Sequence, residues 1–271
     1  MRWTSFATSP SGMPVIETRP GNGPEVSGTQ PGGAADERAA AAQVRQMFTA
    51  IAPRYDLLNH LLSFNIDKLW WRSTARAFSD VLARPEARVL DLCCGTGDMT
   101  LALASEAKRG AGTPVLLGVD FSHAMLTRAR QKFEAGQKAG AIEADALALP
   151  FNPDSFDLVT SAFGFRNLAN YDAGLAEIYR VLRPGGEAGI LDFAEPRGMM
   201  GGVYRMYFRH VLPAVGTVIS GVRGPYAYLP ASVERFPAPQ QMLSRMRAAG
   251  FQDVSWTPYT FGIAGLYRGK K

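Results

Sequence analysis

Ala87-Arg88-Val89-Leu90-Asp91-Leu92-Cys93-Cys94-Gly95-Thr96-Gly97-Asp98-Met99-Thr100 is the stretch whose reading decides the fold. Its apolar run follows Pro85 and reads as a buried parallel strand. The Gly-Thr-Gly that comes next reads as a tight turn where backbone approaches a ligand, with a helix behind it. Together these parts resemble the first strand-loop-helix of a nucleotide-binding α/β fold, in which ligand sits beyond the carboxyl ends of the strands.

The spacing narrows the ligand. A dinucleotide fingerprint, G-x-G-x-x-G, needs a third glycine for close helix packing, and Thr100 occupies that place. Asp91 lies at the end of the strand, and a second strand, Val115 to Val119, ends in Asp120. A carboxylate there is a bidentate acceptor for both hydroxyls of a ribose. The D-x-x-x-G-x-G spacing with that downstream acid resembles motifs I and II of class I S-adenosylmethionine (SAM) methyltransferases. SAM has no pyrophosphate to place on the helix N-terminus, and the glycines instead let its methionine end lie along the backbone. The alternatives are a bare strand-helix turn and an NAD-linked oxidoreductase. Against the oxidoreductase stand the missing third glycine and the lack of a Tyr-x-x-x-Lys or histidine donor near the fourth strand.

Upstream, residues 1–40 interleave prolines with glycines and read as a disordered tail that cannot bury enough apolar surface to offset its ordering entropy. No apolar core of a secretory signal is present there, while Arg2, Arg19 and the serines and threonines leave organelle targeting as the alternative. The chain of 271 residues is 46% hydrophobic and 20% charged, enough for one large α/β domain, read here as 43–271. Val44, Met47, Phe48 and Ile51 fall on one helical stripe closed by Pro53, and Trp71, Phe78, Val81 and Leu82 on another. These predict a helical N-terminal cap, with the cluster Tyr55-Asp56-x-x-Asn59 between. The only two cysteines, Cys93 and Cys94, are adjacent, which points to a reducing compartment, no disulfide and no metal site.

Downstream, Ser122 is placed to cap a helix through about Glu134, and Ala141 to Ala144 form a third strand that leads into Asp145 and Ala146. A fourth strand, Phe156 to Thr160, opens onto Ser161-Ala162-Phe163-Gly164-Phe165-Arg166-Asn167. The (Asn/Asp/Ser)-Pro-Pro-aromatic cradle of nucleic-acid amino-methylating enzymes is missing there, so nucleic acid is not the expected partner. A helix, the turn Arg183-Pro184-Gly185-Gly186 and a fifth strand to Phe193 follow. Residues 198–239 are dense in methionine and aromatics, the composition of core or of an apolar lid. No run there spans a bilayer, since Pro213 interrupts the longest, Val211 to Val222. The stretch from Gly198 to Lys271 holds nine basic residues against two acids. A last helix ending at Gly250 and two strands, Val254 to Tyr259 and Gly262 to Tyr267, complete a seven-stranded, mostly parallel sheet with a reversed last strand and helices on both faces.

Together, Tyr55-Asp56-x-x-Asn59, the Asp91–Asp98 loop, Phe163-Gly164-Phe165-Arg166-Asn167, Tyr179 to Gly186, His210-Val211-Leu212-Pro213 and Tyr226-x-Tyr228-Leu229-x-x-Ser232 resemble the ubiquinone/menaquinone biosynthesis C-methyltransferase family. The likeness runs in order from about Gln43 to the end. It implies a class I SAM-methyltransferase (Rossmann-like) fold and SAM-dependent methylation of a ring carbon of demethylmenaquinol or of a methoxy-polyprenyl-benzoquinol. It further implies cofactor contacts at Asp91, Gly95, Thr96, Gly97, Asp120, Phe121, Asp145, Ala146 and Ser161, with Asp145 accepting from the adenine amine. Three departures from the family pattern bear on which quinone is used: Cys93-Cys94, Asp192-Phe193-Ala194-Glu195, and Leu266-Tyr267-Arg268 in place of a His-containing run. On the chemistry, an aromatic carbon becomes nucleophilic when a neighbouring hydroxyl ionises, so Arg166 is expected to donate to a forming phenolate. His210 or water takes the proton, and Asn167 and Tyr226 orient the ring. The partners that follow are a prenylated quinol and, for the basic C-terminal stretch, reversible contact with anionic membrane at the inner face from a cytoplasmic location; a homodimer is left open. A methyltransferase of another small aromatic or lipid, and a non-catalytic SAM-binding scaffold, are the competing readings.

Overall fold

The computed structural model describes residues 27–56, 63, 65–136, 139–194 and 225–271. Val89, Leu90 and Leu92 are fully buried, which puts β1 (Arg88–Leu92) at the centre of the sheet, apolar on both faces as a covered parallel strand must be. With β2 (Val115–Asp120), β3 (Ala139–Glu143), β4 (Phe156–Ala162), β5 (Leu182–Phe193), β6 (Gln252–Tyr259) and β7 (Ala264–Lys270), it forms one seven-stranded sheet in the order β3-β2-β1-β4-β5-β7-β6. The first five strands are parallel, and β7 runs antiparallel between β5 and β6, the reversed last strand that the sequence reading expects. Chain order departs from β1 in both directions, to β2 and β3 on one side and to β4 and β5 on the other. The crevice at the carboxyl ends of β1 and β4 is therefore the switch point where such sheets take ligands.

The two faces of the sheet carry separate cores. One gathers Leu90, Val159, Ile190 and Tyr267 under α6 (Tyr171–Val181) and α8 (Pro239–Ala248). The other gathers Val89, Leu158 and Leu266 with Phe78, with Val81 of α3 (Ser79–Leu82) and with Leu103 of α4 (Asp98–Arg109). The expected second cap helix is split in two, α2 (Ile66–Arg76) and α3, by a break at Ala77 and Phe78 that lets Phe78 reach the sheet. The expected turn Arg183–Gly186 stands as an interruption of the pairing of β5, with Gly185 at φ +78° as a type II turn requires: Leu182 pairs with Phe156, and Glu187 is the next residue to pair, with Leu158.

The N-terminal boundary differs from the sequence expectation. The first helix, α1 (Glu37–Ile51), begins two turns before the apolar stripe, with the Asp36 side chain accepting the Ala39 N–H as its N-cap. Residues 27–36 also pack on the fold. The Thr29 N–H donates to the Leu168 carbonyl at 2.8 Å, and Ser27 Oγ donates to Asn170 Oδ1 at 2.8 Å. This segment is held by hydrogen bonds, close backbone approach and one small apolar side chain, Ala34, buried with Ala40 and Ala169, and not by large apolar side chains, which is why its composition resembles a tail. Residues 1–26 lie outside the described residues, as do 195–224, which hold most of the expected lid. Its remainder forms α7 (Pro225–Arg235) and the lead into α8.

Candidate active site

The turn after β1 requires glycine at one point above all. Gly97 has φ +87°, and a Cβ there would sit 2.6 Å from the Phe133 ring of α5 (His123–Gly136). The loop so formed is hung on Asp120. The Gly95 N–H donates to Asp120 Oδ2 and the Ser122 N–H to Oδ1, both at 2.9 Å, which leaves each oxygen a lone pair for one hydroxyl of a cis-diol. Below the loop, Asp91 accepts from the hydroxyls of Thr100 (2.6 Å) and Thr160 (3.0 Å). Burial pushes Asp91 up to about 7 and Asp120 up to about 6, against the pull of those donors.

A pH dependence follows. Both folded pKa values lie above the unfolded carboxylate value, so the stability they contribute is complete in acid and is lost as pH rises through about 6 to 7. The ligand-free chain is expected to melt at a lower temperature at pH 8 than at pH 5, with Asp91→Asn removing the larger share of that slope. Melting curves that run the other way in the ligand-free chain would show that neither acid is held neutral.

The cap closes on the same loop. Thr96 Oγ1 donates to Asp56 Oδ1 at 2.5 Å, and Lys132 Nζ of α5 reaches Asp56 and Asp98 at 2.8 Å each. Thr96 therefore joins the loop to the cap through its side chain. On the other flank, Arg45 of α1 donates to the Phe121 carbonyl at 2.7 Å and lies 5.8 Å from the centre of the Phe121 ring. Asp145 keeps its own turn with one oxygen, Oδ1, accepting the Leu147 N–H at 2.9 Å.

Past β4 the chain turns sharply. Phe163 takes a left-handed φ of +57°, a strained conformation for a bulky residue, and its carbonyl accepts from Arg166 Nη1. Arg166 is 5% exposed and pairs with the fully buried Asp192 of β5: Nη1 to Oδ1 at 3.0 Å, and its backbone N–H to Oδ2 at 3.0 Å. Burial raises the Asp192 carboxyl, and the guanidinium works against that rise. The Arg166 guanidinium sits 5.2 Å from the centre of the Phe193 ring. Phe193 packs against Phe163 at 4.6 Å and Trp70 at 6.1 Å, completing an aromatic wall. Tyr228 donates to Asn167 Oδ1 at 3.0 Å and shares a 2.7 Å hydrogen bond with Thr29 Oγ1.

Gly164 ties the two loops together. A Cβ there would lie 2.3 Å from the Cβ of Cys93, itself at φ +55°. Gly164→Ala is expected to lower stability by about 1–3 kcal/mol through overpacking. Adding Cys93→Gly removes the side-chain clash and the left-handed cysteine, leaving only the residue 93 carbonyl at 3.1 Å, and is expected to recover most of the loss in urea titrations. A double variant no more stable than Gly164→Ala would show that the contact is not the cause.

These elements enclose a cavity of about 310 Å³ lined by Asp91, Gly95, Thr96, Asp120, Phe121, Asp145, Ala146, Arg166 and Asn167. Two of the described candidates do not line it, Gly97 and Ser161. Gly97 shapes the turn and faces Phe133. Ser161 is buried on the face of β4 opposite Thr160 and Ala162, and Ala162 lines the cavity instead, because neighbours along a strand point to opposite faces. His210 lies outside the described residues, as does the side chain of Tyr226. Asp192, Tyr228, Thr29, Asp56 and Lys132 are the site groups that the sequence reading did not assign.

Residues 36–271 match the ubiE/COQ5 methyltransferase family. The chain belongs to it. It is 51% identical over 227 residues to the demethylmenaquinone methyltransferase of Thermus thermophilus, covering 83% of this chain and 100% of that one. It is 47% identical over 240 residues to the demethylmenaquinone methyltransferase of Deinococcus radiodurans, covering 87% and 95%. The ubiquinone/menaquinone biosynthesis C-methyltransferase of Geobacter sulfurreducens is 42% identical over 233 residues, with 84% and 88% covered. Among solved structures, the [4+2]-cyclase SpnF superposes with a TM-score of 0.61 at 18% identity over 85% of this chain and 96% of that one. That likeness places the fold alone.

The family's cofactor is SAM, and the cavity fits it. Asp120 keeps two lone pairs for the ribose, and the glycine loop leaves backbone open for the methionine end. Of the Asp, Glu, Lys and Arg side chains on the wall, five are acids (Asp67, Asp91, Asp98, Asp120 and Asp145) and one is a guanidinium, Arg166, a balance suited to a sulfonium cation.

Proposed function

We propose that this chain methylates a ring carbon of a prenylated hydroquinone, with the demethylated naphthoquinol of menaquinone synthesis as the substrate favoured by the two most identical relatives named above. The observation that carries the reading is the Arg166–Asp192 pair, fixed beside the aromatic wall in the cavity that also holds the glycine loop and Asp120. Bound SAM supplies an electrophilic methyl group. The wall of Trp70, Phe163 and Phe193 holds the flat ring, and Arg166 donates to the oxygen on which negative charge gathers as the ring hydroxyl ionises. A guanidinium is a donor with no acceptor capacity and does not take the proton. That proton passes to water or to His210. The carbon next to the phenolate takes the methyl group as the methyl–sulfur bond breaks and the sulfonium becomes a neutral thioether, and loss of that carbon's own proton to water restores aromaticity. Tyr228, set by Thr29 and Asn167, limits rotation of the ring, so that the reacting carbon stays at near-attack distance, about 3–3.5 Å. Because a prenylated quinol partitions into lipid, the chain works at a membrane surface, on the cytoplasmic side. Among the described residues no helix is long and apolar enough to cross one.

The test is direct. Purified protein with SAM is given reduced demethylmenaquinol or a methoxy-polyprenyl-benzoquinol, and products are read by mass spectrometry. A mass gain of one methyl on the naphthoquinol ring carbon supports the proposal. No methylated product from either ring, with SAM bound, would leave a scaffold.

A further inference from the structure

We propose that the outer face of α2 and the turn Thr260–Gly262 form the surface by which this chain docks on an anionic lipid bilayer. The inference rests on the quinol reading above and names the partner that delivers the substrate. Four large apolar side chains stand exposed among the described residues, and two of them border the cavity in sequence. Leu69 is 58% exposed and precedes Trp70 and Trp71, which line the cavity; Phe261 is 79% exposed and lies between the lining residues Thr260 and Ile263. The two elements are joined, since Trp70 Nε1 donates to Thr260 Oγ1 at 2.8 Å. Thr260 and Phe261 both take left-handed φ values, +44° and +57°, so strained backbone is kept in a turn that leaves an aromatic ring in water.

The charge on this face selects the partner. On α2, Ile66, Asp67, Trp70 and Trp71 line the cavity, while Lys68, Leu69, Arg72 and Arg76 are exposed. The three basic residues recur every fourth position, one ridge of a helix, and no ion pair engages them among the described residues. The single acid of α2, Asp67, is buried. Anionic headgroups complement the ridge, and Leu69 and Phe261 reach the acyl boundary beside it. The C-terminal basic stretch is a weaker candidate than its composition implies. Arg245, Arg268 and Lys271 are paired with Asp172, Glu187 and Asp154 at 2.6–2.7 Å, so their charge is locally offset.

Co-sedimentation with vesicles of phosphatidylcholine alone, or mixed with phosphatidylglycerol, tests the surface. Each basic residue near an anionic surface contributes up to about fivefold in partitioning. Lys68→Glu with Arg72→Glu is expected to reduce binding to the anionic vesicles at least about tenfold, and Phe261→Ser to reduce it severalfold, while Arg245→Gln changes it little. SAM affinity by calorimetry, unchanged in all three, shows that the fold persists. Methyl transfer to a short-chain quinol in solution reports the proposed reaction separately. A chain that catalyses this transfer yet ignores anionic vesicles, or whose binding survives the double charge reversal, overturns the surface alone. Self-association that Phe261→Ser abolishes would assign the face to a second copy of the chain and overturn it as well.

Discussion

Arg166→Lys is expected to slow methyl transfer by roughly 10²- to 10³-fold while leaving SAM affinity within about twofold, because one oriented donor to a developing oxyanion has that worth. The lysine variant is the informative one. It keeps a cation opposite Asp192, whereas alanine would leave that carboxylate buried and unpaired, at a cost of about 3–5 kcal/mol. Arg166 makes two different kinds of contact: its backbone N–H and Nη1 fix it to Asp192, and its guanidinium lies over Phe193. An ammonium reproduces the charge, and the backbone N–H bond persists, but it lacks the planar group whose Nη1 meets both Asp192 and the Phe163 carbonyl while its face lies over Phe193. Single-turnover rates give the chemical step and calorimetry gives the cofactor affinity. Turnover near the parent value in the lysine variant would remove Arg166 from the role of phenolate donor.

What was legible in the sequence was what is local. The strand Arg88–Leu92, the glycine turn, Asp120 at the end of the next strand and the reversal of the last strand each follow from a few consecutive residues whose pattern has one physical solution. Asp192 was legible in principle. An acid in the apolar run Ile190-Leu191-Asp192-Phe193 must find a partner once buried, and Arg166 is the cation presented at the same sheet edge. Ser161 faces away from the cavity because side chains alternate across Thr160, Ser161 and Ala162. Thr29 was beyond reach by any local rule. It meets Tyr228 across 199 positions of sequence, and the segment carrying it, Ser27-Gly28-Thr29-Gln30, holds to the fold by backbone approach that leaves no periodic signature. The same holds for Lys132, whose role depends on Asp56 and Asp98 converging from two other elements.

Asp120→Ala is expected to weaken SAM binding by roughly 10²- to 10⁴-fold, since it removes two hydrogen bonds from ribose hydroxyls to a charged acceptor at about 1.5–3 kcal/mol each. The ligand-free chain loses less. The Gly95 and Ser122 N–H groups lose their acceptor, but the burial that holds this carboxyl near 6 is also relieved. Affinity therefore falls far more than melting temperature does, which separates loss of a ligand contact from loss of the fold. The pH profile gives a second readout. A carboxyl with a ligand-free pKa of about 6 must shed its proton to accept both hydroxyls, so SAM affinity of the parent chain declines as pH falls below 6, by up to about tenfold per unit. Asp120→Asn keeps one amide oxygen as acceptor and cannot titrate. Its affinity is expected to lie between those of the parent and the alanine variant, and to lose Asp120's share of the acid limb, leaving only what Asp91 contributes. Calorimetry from pH 5 to pH 8 on the three proteins decides the matter, and an alanine variant that binds SAM as tightly as the parent would place the ribose elsewhere in the cavity.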